Sequence, residues 1–421
     1  MAVYIFLLIG TVLAGIPLCS GKCGKWGRAV YCIALALVFI VISAVRFQVG
    51  YDYNSYGGTY FNMKYMDIED IASLRMEKGF LIPLYVLNLA FEDYRTVFVY
   101  TSLIIYPSVF YLIYKNSSCP WISASAYLCF GLFFNSLCFL RQVMAALIVA
   151  YAIKFVCEKR PVRFWVLVIA ASAFHWSALV ALIMYPLLRI KPGYIYTAIA
   201  AAGTAIFCIF SRPFMFWAID NFYMYKGYNP ETNVEAMNGL PVRYTVIFGV
   251  LFLVCFVFRK RLAERNPNNS VYINCLMYTV IFEAMGTRHG ILSRFALITY
   301  IPPILYLIPD LVYTIKEYIS EKFSGGLKKQ AVYICAGLAA ALFSAGSYAM
   351  LMMSNYNGTV PYVSQFNRPK DIFVEVIYNE SDDEEDWDDE DLEDEEWDDE
   401  EWEDEDRDEN ELENDILNQL S

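Results

Sequence analysis

The chain has 421 residues, 57% of them apolar or aromatic, and apolar runs of about 17 to 22 residues, the length that crosses a hydrocarbon core, recur along it. A single soluble core does not account for so many. The formal charge of −13 conceals two unlike parts, because 27 of the 45 acidic residues lie between Glu380 and Asp415, leaving 18 acids against 31 basic residues in the first 379.

The pattern predicts an all-α polytopic membrane protein with about 10–12 transmembrane helices in 1–355, a juxtamembrane segment 356–379 and a tail 380–421. Contact with a lipid bilayer follows, and no nucleic-acid partner is expected. The first run, Met1 to Pro17, has its positive charges (Lys22, Lys25, Arg28) after it rather than before it, which favours a retained span over a cleaved signal. Further spans are expected at 28–45, 97–114, 121–138, 142–157, 194–211, 243–258, 271–287, 291–309 and 331–353. The stretch 79–91 is too short to cross and reads as re-entrant or interfacial, and 164–188 reads as entering and returning with His175 near its turn.

Lysine and arginine cluster at 22–28, 154–163, 189–191, 259–265 and 316–329, which the positive-inside bias assigns to the cytoplasm. The loops 46–78 and 212–242 then face outward, and both are longer than a helix connection requires. In the tail, Trp387, Leu392, Trp397, Trp402, Arg407, Leu412 and Leu417 recur every five residues, a period that matches neither helix nor strand. Disorder is the expectation there. The 11 cysteines lie mostly inside apolar runs without metal-type spacing and read as small core residues.

Ionisable residues beside membrane spans are costly, so each is either paired for structure or used. Those on the outward side are Arg46, Asp52 and Tyr56 in one loop, Glu77, the pair Arg141-Gln142, Arg243, and Arg288 with Arg294. Arginine is the residue least expected on that side, and its planar fork of donors suits a phosphate or pyrophosphate. Snorkelling, or pairing with Asp52, Glu77 or Glu283, is the competing explanation for each of them. His175 stands inside an apolar stretch and could take a proton from a hydroxyl, with Asp52 and Glu77 as competing bases. Nucleotide-binding and hydrolase motifs are missing, and with two histidines and no carboxylate cluster in the spans neither a metal site nor a cofactor is expected. Asp67, Glu69 and Asp70 could hold a divalent ion, although a solvated loop face explains them more simply.

The order Arg46-x-x-x-Gly50-x-Asp52-x-x-x-Tyr56, Glu77-x-Gly79-Phe80, Arg141-Gln142, His175-x-Ser177-Ala178, then Arg294 ahead of a run ending near Pro302-Pro303 resembles the EpsG-like family of bacterial exopolysaccharide proteins. That family is related in role to Wzy-type O-antigen and capsule repeat-unit polymerases, and the resemblance covers residues 30–310. It implies a GT-C-like, metal-independent glycosyltransferase in the bacterial cytoplasmic membrane. Such an enzyme moves a growing glycan from undecaprenyl pyrophosphate to an incoming lipid-linked repeat, with inversion. On this resemblance Arg46, Arg141 and Arg294 hold the pyrophosphate, His175 is base or acceptor-positioner, and Asp52 and Glu77 orient the sugar. A chain-length regulator and a flippase would be its partners. A flippase of lipid-linked sugars and a membrane O-acyltransferase are the competing readings, but no internal repeat supports the first and no early intramembrane histidine the second.

Overall fold

The computed structural model describes residues 1–19, 23–221, 242–323 and 325–366. The tail 380–421 and most of the loop 212–242 lie outside the described residues, and the juxtamembrane segment is described as far as Phe366. Among the described residues every regular element is helical, and the one extended contact is a bridge between Arg46 and Ser364. This is the composition a membrane enforces, since in lipid each backbone N–H and C=O has to be satisfied within its own helix.

Helices α1 (Ala2–Leu18) and α2 (Gly24–Ala44) are followed by three shorter ones, α3 (Tyr53–Asn62), α4 (Ile68–Ser73) and α5 (Lys78–Asn88). Next come α6 (Thr96–Asn116), α7 (Pro120–Cys129), α8 (Leu132–Cys138), α9 (Leu140–Cys157), α10 (Pro161–Ser172) and α11 (Ala181–Leu188). The remainder is α12 (Tyr194–Asn221), α13 (Arg243–Val257), α14 (Arg259–Arg265), α15 (Asn269–Gly286), α16 (Ala296–Pro302), α17 (Ile308–Lys322) and α18 (Gly326–Met353). Seven of the ten expected spans coincide with one helix whose ends fall within about five residues of the apolar run; 121–138 is divided into two helices, 194–211 lies in a helix that continues to Asn221, and 291–309 belongs to a broken helical unit that runs on to Lys322.

Six segments are long and apolar enough to cross a membrane: α2, α6, α9, α12 over Tyr194–Ser211, the Gly290–Lys322 unit and α18. The pair α7–α8, bent by 58°, makes a seventh if taken as one span, while α1, α10, α11 with its preceding turn, and α13 are apolar but shorter. The run 121–138 reads as one uninterrupted helix, and the structure divides it at Gly131. There φ is +86°, a left-handed conformation that glycine adopts without a Cβ penalty and that terminates a helix. The α9 helix and the Gly290–Lys322 unit are enclosed by protein; α12 and α18 present most of their apolar surface outward, as lipid-facing helices do.

Contacts at the helix ends sort the bundle into two faces. On the first, Arg28 donates to Ser117 O at 2.6 Å, Asn274 to Ile190 O at 2.6 Å, and the Arg259 guanidinium lies 4.5 Å from the Tyr194 ring. Arg261 and Arg265 pair there with Glu321 and Glu317 at 2.6 Å each. The lysine and arginine clusters are thus gathered at one end of the molecule. On the second face Gly79 N donates to Ala173 O at 2.8 Å, Gly50 N to Gly358 O at 3.0 Å, and the Tyr244 and Tyr356 rings meet at 5.1 Å.

Helix α5 starts and finishes on the second face: its first turn touches Ala173, and near its other end Asn88 donates to Tyr60 O at 2.8 Å. A segment of 11 residues spans about 16 Å, half a hydrocarbon core, so a return to the same side is the geometry its length permits. Helices α10 and α11 form a hairpin whose apex carries His175. After α18 the chain folds back across the loop that follows α2, with Phe47 N donating to Val363 O at 3.0 Å, Tyr51 N to Asn357 O at 3.1 Å and Gln365 N to Val45 O at 2.8 Å.

This return has a topological consequence. A reporter fused after Phe366 should read the same side of the membrane as one inserted in 46–78, and the opposite side from one in 259–265; opposite readings for the first two sites would contradict the arrangement of the bundle. The junction of α5 with the α10–α11 hairpin is also testable, because a Cβ on Gly79 would meet Ala173 O at 2.4 Å, whereas one on Gly58 meets nothing within 4 Å. Gly79→Ala should therefore destabilise the purified protein by about 1–3 kcal/mol in thermal unfolding, and Gly58→Ala should be neutral or slightly stabilising.

Candidate functional site

Glu77 sits where α5 begins, in extended backbone, so its side chain turns inward beneath the first turn of the helix. Only 4% of that side chain is exposed. A buried carboxylate is tolerated when its lone pairs are satisfied by donors, and here three donors converge on it from two other segments. Oε2 accepts from Arg141 Nη1, while Oε1 accepts from His175 Nδ1 at 2.6 Å and from Trp176 N at 3.1 Å. Arg141 stands in the first turn of α9, whose N-terminal dipole adds partial positive charge at the same place. His175 lies in extended backbone at the apex of the α10–α11 hairpin, just before the turn that leads into α11.

Gln142 binds the next segment to this arrangement, donating to Arg294 O and, at 3.5 Å, to Ser177 Oγ. Arg294 is exposed in the turn before α16, with its guanidinium 5.8 Å from the Phe139 ring. Tyr56 of α3 packs against Arg141, ring centroid to guanidinium 5.9 Å, and its hydroxyl is within hydrogen-bonding reach of that side chain. Asp52, the residue before α3, is half-buried in the combined field of Arg294, Arg141 and His175.

The two acids differ in their electrostatics. Burial alone would raise Glu77, but the hydrogen bond from His175 and the charge of Arg141 outweigh it and hold the carboxyl down at about 2. Such a carboxylate is a poor base and a firm anchor. Asp52 moves in the other direction, raised by burial against the pull of Arg294, Arg141 and His175. Burial also pushes the Tyr56 hydroxyl up to about 12, Arg141 acting in opposition, so it remains a neutral donor. With Nδ1 of His175 committed to Glu77, Nε2 is the ring nitrogen left to exchange a proton. The Arg141 Nε, buried and without a partner, is a donor for which the protein provides no acceptor.

Seven of the residues singled out from the sequence therefore meet: Asp52, Tyr56, Glu77, Arg141, Gln142, His175 and Arg294. Arg46, expected among the pyrophosphate-binding residues, lies instead in the core with none of its side chain exposed. It donates to Ser43 O and Ser43 Oγ at 2.7 Å and stacks on the Phe98 ring at 4.5 Å. Its position directly after an apolar span suggested an interfacial side chain; the returning segment 357–365 covers it. Arg288, also expected at the pyrophosphate, is exposed beside Cys208 of α12 rather than on the Glu77 group. Asp67 and Asp70 form a reciprocal cap on α4, which accounts for both acids structurally. Among the described residues no group of three or more His, Cys, Asp or Glu is disposed to hold a metal ion.

The segment 357–365, within the expected juxtamembrane segment 356–379, has no role at the site in the sequence pattern, yet it packs over the loop that follows α2. Its turn-rich composition, Asn355-Tyr-Asn-Gly-Thr359 and then Pro361, was the available signal. Asn357 donates to Asn135 of α8 at 2.8 Å, fixing the segment to the same helical break that precedes α9.

The depressed value of Glu77 sets a pH dependence. Because its folded value lies below the ordinary one of 4.5, its contribution to stability is complete above pH 4.5 and is lost as pH falls from there through about 2. Glu77→Gln, which leaves Arg141 without its counter-charge, should lower stability near neutral pH by about 3–5 kcal/mol. In thermal unfolding across pH, the gap between wild type and variant should close between pH 4.5 and 2; a gap unchanged over that window would show that the carboxylate is not held in its charged form.

No curated protein and no solved structure matches the chain. The match that does exist spans from within α2 to the end of the returning segment, and so contains every element that builds the Glu77 group. The EpsG family model fits residues 29–364, and the chain belongs to the EpsG family.

Proposed function

We propose that this multi-pass, polysaccharide-related membrane protein polymerises lipid-linked oligosaccharide repeat units by glycosyl transfer on the outer face of the cytoplasmic membrane. The observation that carries the reading is the shared Glu77 carboxylate, which holds a guanidinium and an imidazole side by side at the face opposite the lysine and arginine clusters. Positive-inside sorting makes that face the outer one. A cation next to a proton acceptor is what transfer of a sugar from a pyrophosphate to a hydroxyl requires.

In the proposed step the acceptor hydroxyl oxygen attacks the anomeric carbon of the donor glycan, and the bond from that carbon to the pyrophosphate oxygen breaks. The electron pair leaves on the pyrophosphate and the proton passes to His175 Nε2. Arg141, through its unused Nε–H, and Arg294 stabilise the charge that accumulates on the leaving group. Glu77 keeps the imidazole in the tautomer and orientation that expose Nε2, an anchoring role consistent with its low value. Asp52 and Tyr56 receive the sugar hydroxyls, and Gln142 holds the turn that bears Arg294. The undecaprenyl chain extends into the bilayer, and a chain-length regulator and a flippase are the expected partners in the cell.

The test is gel analysis of surface polysaccharide and lipid-linked intermediates in cells lacking the protein, complemented with wild type or with variants at matched expression. Loss of long polymer, with single repeats on the outer face, is expected in the deletion. His175→Ala should lower polymer formation by about 10²–10⁴-fold. Repeats trapped on the cytoplasmic side would replace this reading with a flippase, and unchanged polymer carrying altered acyl groups with an acyltransferase. Arg141→Lys keeps the charge but loses the fork, so polymer should fall at least about tenfold; near-normal polymer from that variant would reduce Arg141 to a structural role.

A further inference from the structure

A polar cavity of about 430 Å³ opens at the end of α9 opposite the Glu77 group, between the last turns of α6 and α9 and the first turn of α15. Along α9 it lies about 20 Å from Arg141, so it is no part of the Glu77 group. Its floor is phenolic: Tyr272 and Tyr306 are buried with their rings 5.3 Å apart, and Tyr306 accepts a hydrogen bond from Asn116 at 3.3 Å. That bond uses the Tyr306 oxygen as acceptor and leaves its proton to be donated into the cavity.

The mouth holds two lysines and one carboxylate, Glu158. Lys115 and Lys154 stand on its two sides, both exposed. Lys154 shares its charge with Glu158 at 3.5 Å, but Lys115 has no carboxylate partner among the described residues and is bordered by the Tyr111 and Tyr114 rings at 5.8 and 5.9 Å. Tyr111 and Tyr151, 51% and 42% exposed, flank the opening as amphipathic side chains do at headgroup depth. Helices α6 and α9 both end here, and their C-terminal carbonyls disfavour an anion. Affinity for one has to come from the lysines and the phenols.

We propose that this cavity binds the phosphate of an anionic phospholipid headgroup in the leaflet on the lysine- and arginine-rich face. An excess of cations at a membrane surface, a hydroxyl-lined floor between spans and aromatic flanks together fit a phosphodiester whose acyl chains remain in the bilayer. A soluble anion would gain nothing from the aromatic flanks.

The experiment is a lipid-retention measurement by native mass spectrometry on the full chain, with phosphatidylglycerol against phosphatidylcholine of equal acyl length. Wild type should retain phosphatidylglycerol at least about tenfold better, and Lys115→Gln or Lys154→Gln should each reduce that preference about fivefold. Both lysines are exposed, so the variants should fold; Tyr306→Phe, which removes only the floor donor, should weaken retention without altering the mouth. Equal retention of the two lipids, or a preference unmoved in the double lysine variant, would overturn the proposal. Displacement of the lipid by millimolar inorganic phosphate would assign the cavity to a soluble anion and overturn it as well.

Discussion

The Glu77 carboxylate is the constraint around which the second face of the molecule is organised. A buried carboxylate costs several kcal/mol in lost hydration, and recovers it only when its donors are held in place. Those donors come from α9 and from the apex of the α10–α11 hairpin, 64 and 98 residues away in the chain. Each is held in turn: Arg141 in the first turn of an enclosed helix, His175 at a hairpin apex fixed by the close approach of Gly79 to Ala173, and Trp176 in a turn whose next residue, Ser177, accepts from Gln142. The ion pair therefore does more than stabilise. It sets the distance between the guanidinium and the imidazole that the proposed chemistry uses.

A comparison with the other end of the bundle shows why the same residue types count differently there. Arg261 with Glu321 and Arg265 with Glu317 equal in number the two charged pairs of Glu77 and have good geometry. Yet Glu321 and Glu317 are 62% and 58% exposed, and pairs in that environment contribute about 0–1 kcal/mol. Charges at that end record which side of the membrane the loops occupy. At the Glu77 end the charges are few and centred on one buried carboxylate, and removing it leaves Arg141 and His175 without their shared acceptor.

The spans were legible in the sequence because their determinant is local: a run of apolar residues of sufficient length becomes helical in lipid wherever it falls, and the expected runs are helical, with 121–138 and 291–309 broken along their length. The types of residue at the site were legible for a related reason, since arginine and histidine beside membrane spans on the side poor in positive charge need an explanation. What could not be read locally was which of them meet. Arg46 and Arg141 each adjoin an apolar span on the same face, and only the path of distant chain separates them. Segment 357–365 folds over the first and seals it into the core, while α9 delivers the second to Glu77. Gly131 is intermediate: its φ is a local property of glycine, but nothing in the run 121–138 says that the helix has to break there.

The burial of Arg46 has its own logic. Two of its guanidinium nitrogens, Nε and Nη2, have no hydrogen-bond partner, and burial lowers its affinity for a proton while Tyr106 and Tyr53 oppose the shift. The compensation is aromatic, the Phe98 ring 4.5 Å from the guanidinium and Tyr53 at 5.9 Å, a contact worth about 2 kcal/mol when desolvated. Its backbone carbonyl accepts from Tyr53 at 3.2 Å and from Gln365 at 3.2 Å, so the residue joins the start of α3 to the returning segment. Asp52 is the neighbour of Tyr53, and its position among Arg141, Arg294 and His175 therefore depends on Arg46 without any contact between Arg46 and a substrate. Loss of function on replacing Arg46 would follow from that support alone. Arginines near such a site accordingly divide into those that face the ligand and those that hold the acids facing it, and the surroundings of each side chain, rather than its place in the sequence, decide which it is.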